Sequence, residues 1–493
     1  MLYIIGWAVG MYGMFKKAGL EGWKALIPFY NTWCIVEICG LRRLWFWLQF
    51  IPVVGQFVTI WLLIIFSMHF GKFSFLQHFA VVFLPFIYLP YLGFSGKVHW
   101  GGYLIVNEYK KSAVREWVDA GIFAIVAATI IRTFIFEAYT IPSESMEKTL
   151  LVNDFLFVNK MSYGPRIPIT PLGFPLVHNI MPFTETVPSY LKWVQLPYKR
   201  FPGFGQIKRN DVVVFNVPAG DTIINEPKYG SQELYYDVLR EVYNGNRTAL
   251  LADHPRILVH PLDKTDNYIK RCTGIPGDEI QVIQGRLFVN GQAAYVAPQS
   301  QMEYNVPVND KFSSVDELNF KAGVNVSDGS EISPQQGCII VNMTPGEKDI
   351  VERFAGSRCT IATYQREQTG VFPYNDESTN WTRDNYGPVH IPKKGETITL
   401  TPGNIALYNR LITTYEGNTL AEENGSYTIN GKQTNTYTVK YNYYWMMGDN
   451  RHRSQDSRFW GFVPETCIVG KASLIWFSWN KGPRWSRLFK IIK

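Results

Sequence analysis

The chain has 493 residues, a hydrophobic share of 46%, an aromatic share of 15% and a net charge of +7. That length exceeds the ~100–200 residues of one ordinary domain, so more than one unit is expected. The charge excess is modest and no basic run is interleaved with aromatics, which argues against a nucleic-acid partner.

The first part of the chain is mostly apolar. Residues 1–15 are followed by Lys16-Lys17, so the charges lie on the wrong side for a signal sequence, and no small-residue cleavage site follows. They read as a short first span. Residues 44–70 and 73–94 are each long enough to cross ~30 Å of hydrocarbon, and residues 117–139 make a fourth span. Residues 25–41 are also apolar, but Pro28, Asn31 and Glu37 favour an interfacial segment.

Lys16, Lys17, Lys24, Arg42 and Arg43 separate the first two spans, and Lys97, Lys110, Lys111 and Arg115 the last two. Only Lys72 separates the second and third. The positive-inside rule places both charged groups in the cytoplasm and everything after Tyr139 outside. Arg132, near the outer end of its helix, reads as an anchor.

At that exit stands Ile141-Pro142-Ser143-Glu144-Ser145-Met146-Glu147-Lys148-Thr149-Leu150. Pro142 fixes its own φ and biases Ile141 away from helix, so the chain runs on extended. A serine here is either part of a polar turn or a nucleophile meeting substrate at the bilayer.

Beyond residue 140 no long helical period appears. Short β-branched and aromatic runs recur at 155–158, 212–217, 280–283, 287–289, 397–400, 405–408, 437–441 and 473–477. Asn290-Gly291 and Asn430-Gly431 have the signature of type I′ hairpin turns. Residues 164–202, rich in proline, read as an irregular excursion, and residues 298–439, without a chemical motif, as an inserted β-rich lobe. The fold class is mixed: N-terminal transmembrane helices, then a mainly antiparallel β domain carrying a β-rich insertion.

The six cysteines, Cys34, Cys39, Cys272, Cys338, Cys359 and Cys467, show no metal-ligand spacing. Cys338 and Cys359 can pair if exported, which spacing leaves open. Residues 481–493, basic with Trp485, Leu488 and Phe489, are either a membrane-surface segment or a solvated tail.

Two further segments carry chemistry: Tyr268-Ile269-Lys270-Arg271-Cys272-Thr273-Gly274-Ile275-Pro276-Gly277-Asp278, and Gly448-Asp449-Asn450-Arg451-His452-Arg453-Ser454-Gln455-Asp456-Ser457-Arg458-Phe459-Trp460-Gly461. A serine hydroxyl needs an adjacent base. His452 sits between two arginines and no Gly-x-Ser-x-Gly elbow occurs, which counts against a Ser-His-Asp triad. A lysine serves if its amine is neutral. Lowering it from about 10.4 to about 8 costs roughly 3 kcal/mol, which burial among apolar groups supplies.

Together these segments resemble the bacterial type I signal peptidases (leader peptidases) of the Ser/Lys class. Ile141-Pro142-Ser143-x-Ser145-Met146 is similar to the nucleophile box, Tyr268-Ile269-Lys270-Arg271 with Gly274-x-Pro276-Gly277-Asp278 to the lysine box, and Gly448-Asp449-Asn450-Arg451 with Ser454-x-Asp456-Ser457-Arg458-x-Trp460-Gly461 to the C-terminal box. Asn210-Asp211-Val212-Val213-Val214-Phe215 resembles the strand between the first two.

The resemblance implies Ser145 as nucleophile, Lys270 as general base, and Ser143 with the backbone N–H of Ser145 as oxyanion hole. It further implies Ser454 as the residue orienting Lys270, Asp449, Arg271, Asp456 and Arg458 as a salt-bridged frame, and Ile141, Met146, Leu150 and Ile269 as lining of small apolar pockets. The implied substrates are exported preproteins with Ala-x-Ala-like cleavage sites. The implied location is the bacterial inner (plasma) membrane, multi-pass, in contact with lipid, with the catalytic domain on the periplasmic side. No metal or organic cofactor is implied.

On this reading residues 1–116 form a multi-span membrane module and 117–139 the helix leading outward. Residues 140–297 begin the catalytic domain, 298–439 interrupt it, and 440–493 complete it with a basic tail.

Glu144 stands where many members have Gly, and Lys148 where many have Pro. Ser145-x-x-Lys148 also matches the penicillin-binding pattern, but no Lys-Thr-Gly partner occurs. Two competing readings are an inactive relative acting as a scaffold for exported proteins, and a soluble Ser/Lys autoprotease. Retention of Ser145 and Lys270 counts against the first, and the apolar spans against the second.

Overall fold

The computed structural model describes residues 2–493 except 52, 185, 219, 221, 227, 228, 230–232, 327–331, 334–336, 365–369, 375–379 and 424. It divides into two compact units, Met1–Thr133 with Ile167–Pro197, and Phe134–Arg166 with Tyr198–Lys493.

The first unit is helical: α1 (Leu2–Lys17), α2 (Tyr30–Ile38), α3 (Val54–Met68), α4 (Phe75–Phe83), α5 (Pro85–Phe94) and α6 (Ala113–Phe134), with shorter helical turns between. Gly6, Gly10 and Gly13 share one face of α1, where a Cβ at Gly10 would come within 2.4 Å of the Leu89 backbone. Absent side chains let α1 lie directly on α5.

Of the described helices, α6 is long and apolar enough to cross a membrane. The expected span over 73–94 is broken into α4 and α5, bent by 114°. A Ser74–Gln77 capping box starts α4, and Pro85 starts α5. The run 44–70 splits into Leu44–Leu48 and the 15-residue α3. The outermost span stops at Phe134 rather than Tyr139, because the next residues enter a sheet.

That sheet organises the second unit. Its strands are β1 (Phe136–Thr140), β2 (Asp154–Asn159), β3 (Val212–Asn216), β4 (Asn267–Gly274), β5 (Tyr443–Met447), β6 (Val463–Pro464), β7 (Ile468–Ser478) and β8 (Lys490–Ile491). The order is β1-β2-β7-β3-β4-β5-β6, with β8 beside β7, and every pairing is antiparallel. All of β3 is buried. Val212 and Val214 pack with Leu156 and Ile475, whereas Val213 and Phe215 pack with Cys272 and Trp460. A strand covered on both faces is continuously apolar, as Val-Val-Val-Phe is.

Both Asn-Gly hairpins are present. Asn290 and Gly291 have φ of 52° and 74°, and Asn430 and Gly431 have 51° and 78°. Residues 405–408 are helical instead of extended: Ile405–Arg410 forms a helix that runs on into a π-helical turn, Leu411–Tyr415, and Leu407, Tyr408, Leu411 and Ile412 are buried at helical spacing. Residues 298–439 also hold α7 (Val315–Ala322) and α8 (Pro345–Ala355) against a four-stranded sheet. Ser314 caps α7, a Thr344–Glu347 box caps α8, and left-handed Gly323 and Gly356 end them.

Residues 481–493 are neither a solvated tail nor separate from the fold. β8 pairs with β7, and Arg487 forms a buried ion pair with Asp154.

All six cysteines are buried as thiols, outside any disulfide. Cys338 opens the strand on one side of Met302–Pro307, and Cys359 precedes the strand on its other side. Two strand spacings of ~4.8 Å exceed the reach of a disulfide. Alkylation of the denatured, unreduced protein should therefore label all six thiols by mass spectrometry; a Cys338–Cys359 cross-link would refute this strand order.

Candidate active site

The end of β1 shapes the turn that holds the two serines. Ser143 is extended at φ −132° and ψ 162°, and Glu144–Met146 close one 3-10 turn. Ser145 is thereby buried, 8% exposed, and Ser143 Oγ lies 3.4 Å from its Oγ.

Lys270 comes from the middle of β4, opposite Val213 of β3. It is 5% exposed, and its Nζ lies 2.7 Å from Ser145 Oγ. The Tyr268 ring, on the same side of the strand, is 5.5 Å from Nζ. Burial lowers the Lys270 pKa to about 8, against the opposing pull of Asp456 and Asp449.

Those carboxylates are themselves engaged. Arg271 clasps Asp449 with two hydrogen bonds, Nε–Oδ1 at 2.8 Å and Nη2–Oδ2 at 2.6 Å. Arg458 clasps Asp456 likewise at 2.9 Å and 2.9 Å. Burial works to raise both carboxyl pKa values, but hydrogen bonds and charge from the two arginines hold them below the usual range. All four side chains are buried, so each pair compensates charges that water does not reach.

The loop after β5 locks the turn. Asn450 donates its N–H to the Ser145 carbonyl and its Nδ2 to the Glu144 carbonyl, each at 3.1 Å. Thr149 Oγ1 donates to Asp449 Oδ2 at 2.7 Å. Gly448 is required by space: a Cβ there would lie 2.2 Å from Ser454 Oγ and 2.5 Å from the Ser145 carbonyl. Ser454 is buried against it, and no hydrogen bond joins its hydroxyl to Lys270.

Met146 and Leu150 are fully buried and Ile141 nearly so, in one packed cluster that Ile269 flanks from a half-buried position. Glu144 is exposed. Lys148 turns away to Glu347 and the Asn325 carbonyl, which separates it from serine chemistry. His452 is also remote in its bonding, since Nδ1 accepts the Glu303 N–H and Nε2 donates to Asp384. Among the described residues no group of His, Cys, Asp or Glu converges as metal ligands would.

Sequence reasoning did not single out Thr149, Asn450 or Asp154. Asp154 accepts from the Leu151 N–H, Ser478 and Arg487, and so ties the residues after the nucleophile to the far end of the chain. Asn450 stood in a recognised motif, but Asp154 had no local signal.

Two outcomes follow. Gly448→Ala should displace the Ser145 carbonyl and lower thermal stability by about 1–3 kcal/mol, measurable by unfolding. Lys270→Met should stabilise the protein. The native amine titrates near 8 and the unfolded one near 10.5, so burial destabilises fully below about 8 and is relieved as pH rises to 10.5. The stability gap between Lys270→Met and wild type, at most about 3 kcal/mol, should narrow across that window.

A family model described as signal peptidase, peptidase S26, matches residues 114–346 and 389–479, more than half of the chain. A family of unknown function matches residues 23–103. The chain is 28% identical over 356 residues to signal peptidase I of Buchnera aphidicola subsp. Acyrthosiphon pisum, covering 72% of this chain and 73% of that protein. It is 26% identical over 401 residues to signal peptidase I of Haemophilus influenzae, with 79% and 80% covered. Signal peptidase I of Pseudomonas aeruginosa is 22% identical over 370 residues, with 73% and 70% covered. With its buried serine and lysine in contact and this match across both halves of the sheet, the chain belongs to the S26 signal peptidase family.

Proposed function

We propose that Ser145 is the nucleophile and Lys270 the general base of a serine endopeptidase that removes N-terminal signal peptides from exported preproteins. The observation that carries this is the 2.7 Å contact between Ser145 Oγ and a buried amine titrating near 8. Neutral Lys270 takes the Oγ proton as Oγ attacks the scissile carbonyl, then delivers it to the departing amine. In the second half Lys270 accepts a proton from the water that hydrolyses the ester.

The Ser143 hydroxyl, together with the Ser145 N–H, donates to the developing oxyanion, worth about 3 kcal/mol for such a donor. Once Lys270 is an ammonium it has three N–H groups to satisfy, and the buried Ser454 hydroxyl is an available acceptor. Arg271–Asp449 and Arg458–Asp456 frame the site without reacting. Ile141 and Ile269 line pockets that admit only small side chains, above a floor of Met146 and Leu150, which suits Ala-x-Ala-like sites. Substrate lies extended along β1, which has β2 on one side only and leads directly into the nucleophile turn.

The chain sits in the bacterial inner membrane through α6 and the other apolar helices of its first unit, in contact with lipid. Loop charges favour a multi-pass arrangement with the catalytic unit on the periplasmic side. An inactive scaffold has no use for a poised Ser–Lys contact, so the catalytic reading is preferred.

Purified full-length protein in detergent and lipid should cut a preprotein after an Ala-x-Ala site, and Ser145→Ala and Lys270→Met should each lose at least ~10³-fold. The rate should rise with pH toward a plateau above about 8, because only the unprotonated amine accepts the serine proton. Cleavage by Lys270→Met would assign the base elsewhere. Failure of folded wild type on several preproteins would favour the scaffold.

A further inference from the structure

Lys148 lies three residues beyond the nucleophile and adopts a left-handed backbone, φ 64°. A β-carbon disfavours that conformation, and it persists only where surrounding contacts hold it. The Leu150 N–H closes the turn on the Met146 carbonyl at 2.7 Å, and both side-chain contacts of Lys148 come from the 298–439 lobe. Nζ donates to the Asn325 carbonyl, just past α7, at 3.1 Å, and pairs with Glu347 Oε1 in the first turn of α8. The two side chains are only 19% and 17% exposed, so this is not an ordinary surface pair.

Glu347 is itself immobilised. Its Oε2 accepts the Thr344 N–H and hydroxyl, each at 2.9 Å, in the capping box of α8, leaving Oε1 aimed at Lys148. On the opposite side the turn is held by the catalytic loop: Thr149 donates to Asp449, and the Asp449 N–H reaches Met146 Sδ at 3.3 Å. The lobe is stitched to that same loop, since the Gln301 N–H donates to the Asp449 carbonyl and Asn342 Nδ2 to Asn450 Oδ1. The nucleophile turn is therefore clamped between two surfaces, one of them the insertion.

We propose that the lobe arms the catalytic turn through the Lys148–Glu347 ion pair, making both side chains positioning residues for Ser145. Release of the pair lets Lys148 relax toward negative φ and moves Ser145 Oγ relative to Lys270 Nζ. A contact of 2.7 Å tolerates little displacement, and ~1 Å of misplacement costs about 100-fold in rate. Both side chains are spent on each other and on the Asn325 carbonyl and Thr344, so the loss belongs in kcat and not in KM.

The proposal rests on Ser145 acting as nucleophile. The test uses the full-length protein over a range of preprotein concentrations, comparing wild type with Glu347→Gln, Lys148→Met, Lys148→Arg, which can keep the ion pair, and Lys348→Gln. Lys348 pairs with Glu352 at 2.9 Å on the same helix and serves as a charge control. Glu347→Gln and Lys148→Met should each lower kcat by about 10–100-fold with KM within about twofold and little change in melting temperature. Lys148→Arg should lose far less than Lys148→Met, and Lys348→Gln should match wild type. Wild-type kcat in both Glu347→Gln and Lys148→Met overturns the proposal, as does a loss that follows melting temperature alone and is as large in Lys148→Arg as in Lys148→Met. Active wild type beside inactive Ser145→Ala secures the nucleophile independently, so either result would sink the clamp alone.

Discussion

The site depends on lowering the proton affinity of one buried amine where two carboxylates stand near. Burial pushes the Lys270 pKa down, and Asp456 and Asp449 pull it back up. Left bare, those carboxylates would undo the effect of burial. Arg458 and Arg271 cancel them at bidentate geometry, so Lys270 experiences two near-neutral pairs instead of two anions. The frame is thus electrostatic before it is mechanical, and its four charged members serve a residue that must carry none.

The same frame explains why the stretch 298–439 is not a loose appendage. Gln301 bonds both flanks of the loop that carries Asp449, giving its N–H to the Asp449 carbonyl and taking the Arg451 N–H. The buried His452–Asp384 pair and the Glu303–Arg453 pair continue that seam. Each joins a residue of the 448–461 segment to one between 298 and 439. That stretch has its own core of Val306, Phe312, Leu318, Ile339 and Val351, yet its edge packs on the loop that carries Asp449.

What the sequence revealed followed from locality. Ser143, Ser145 and Lys270 sit in short, recognisable segments, and the structure brings them together. The two Asn-Gly turns were legible because a left-handed pair needs those residues. The lobe helices were missed although Ser314-x-x-Glu317 and Thr344-x-x-Glu347 are capping signatures, because each helix is short and its apolar period brief. Run 405–408 looked like a strand by composition, and packing overrode that preference. The stretch expected as a straight span over 73–94 is bent at the Leu84–Pro85 break, where continuous hydropathy hides a change of direction. Asp154 with Arg487, 333 residues apart, left no local trace at all.

The strand order also sets the timing of the protein's own biogenesis. β7, near the end of the chain, lies between β2 and β3, and β5 completes the far side of the strand bearing Lys270. The sheet therefore cannot assemble as the chain emerges from its N-terminus; roughly three hundred intervening residues must be delivered first. Such long-range pairing is slow and entropically late. Ser145 and Lys270, contributed by segments on either side of this delay, therefore stay unframed until β5 and β7 have been made and have docked.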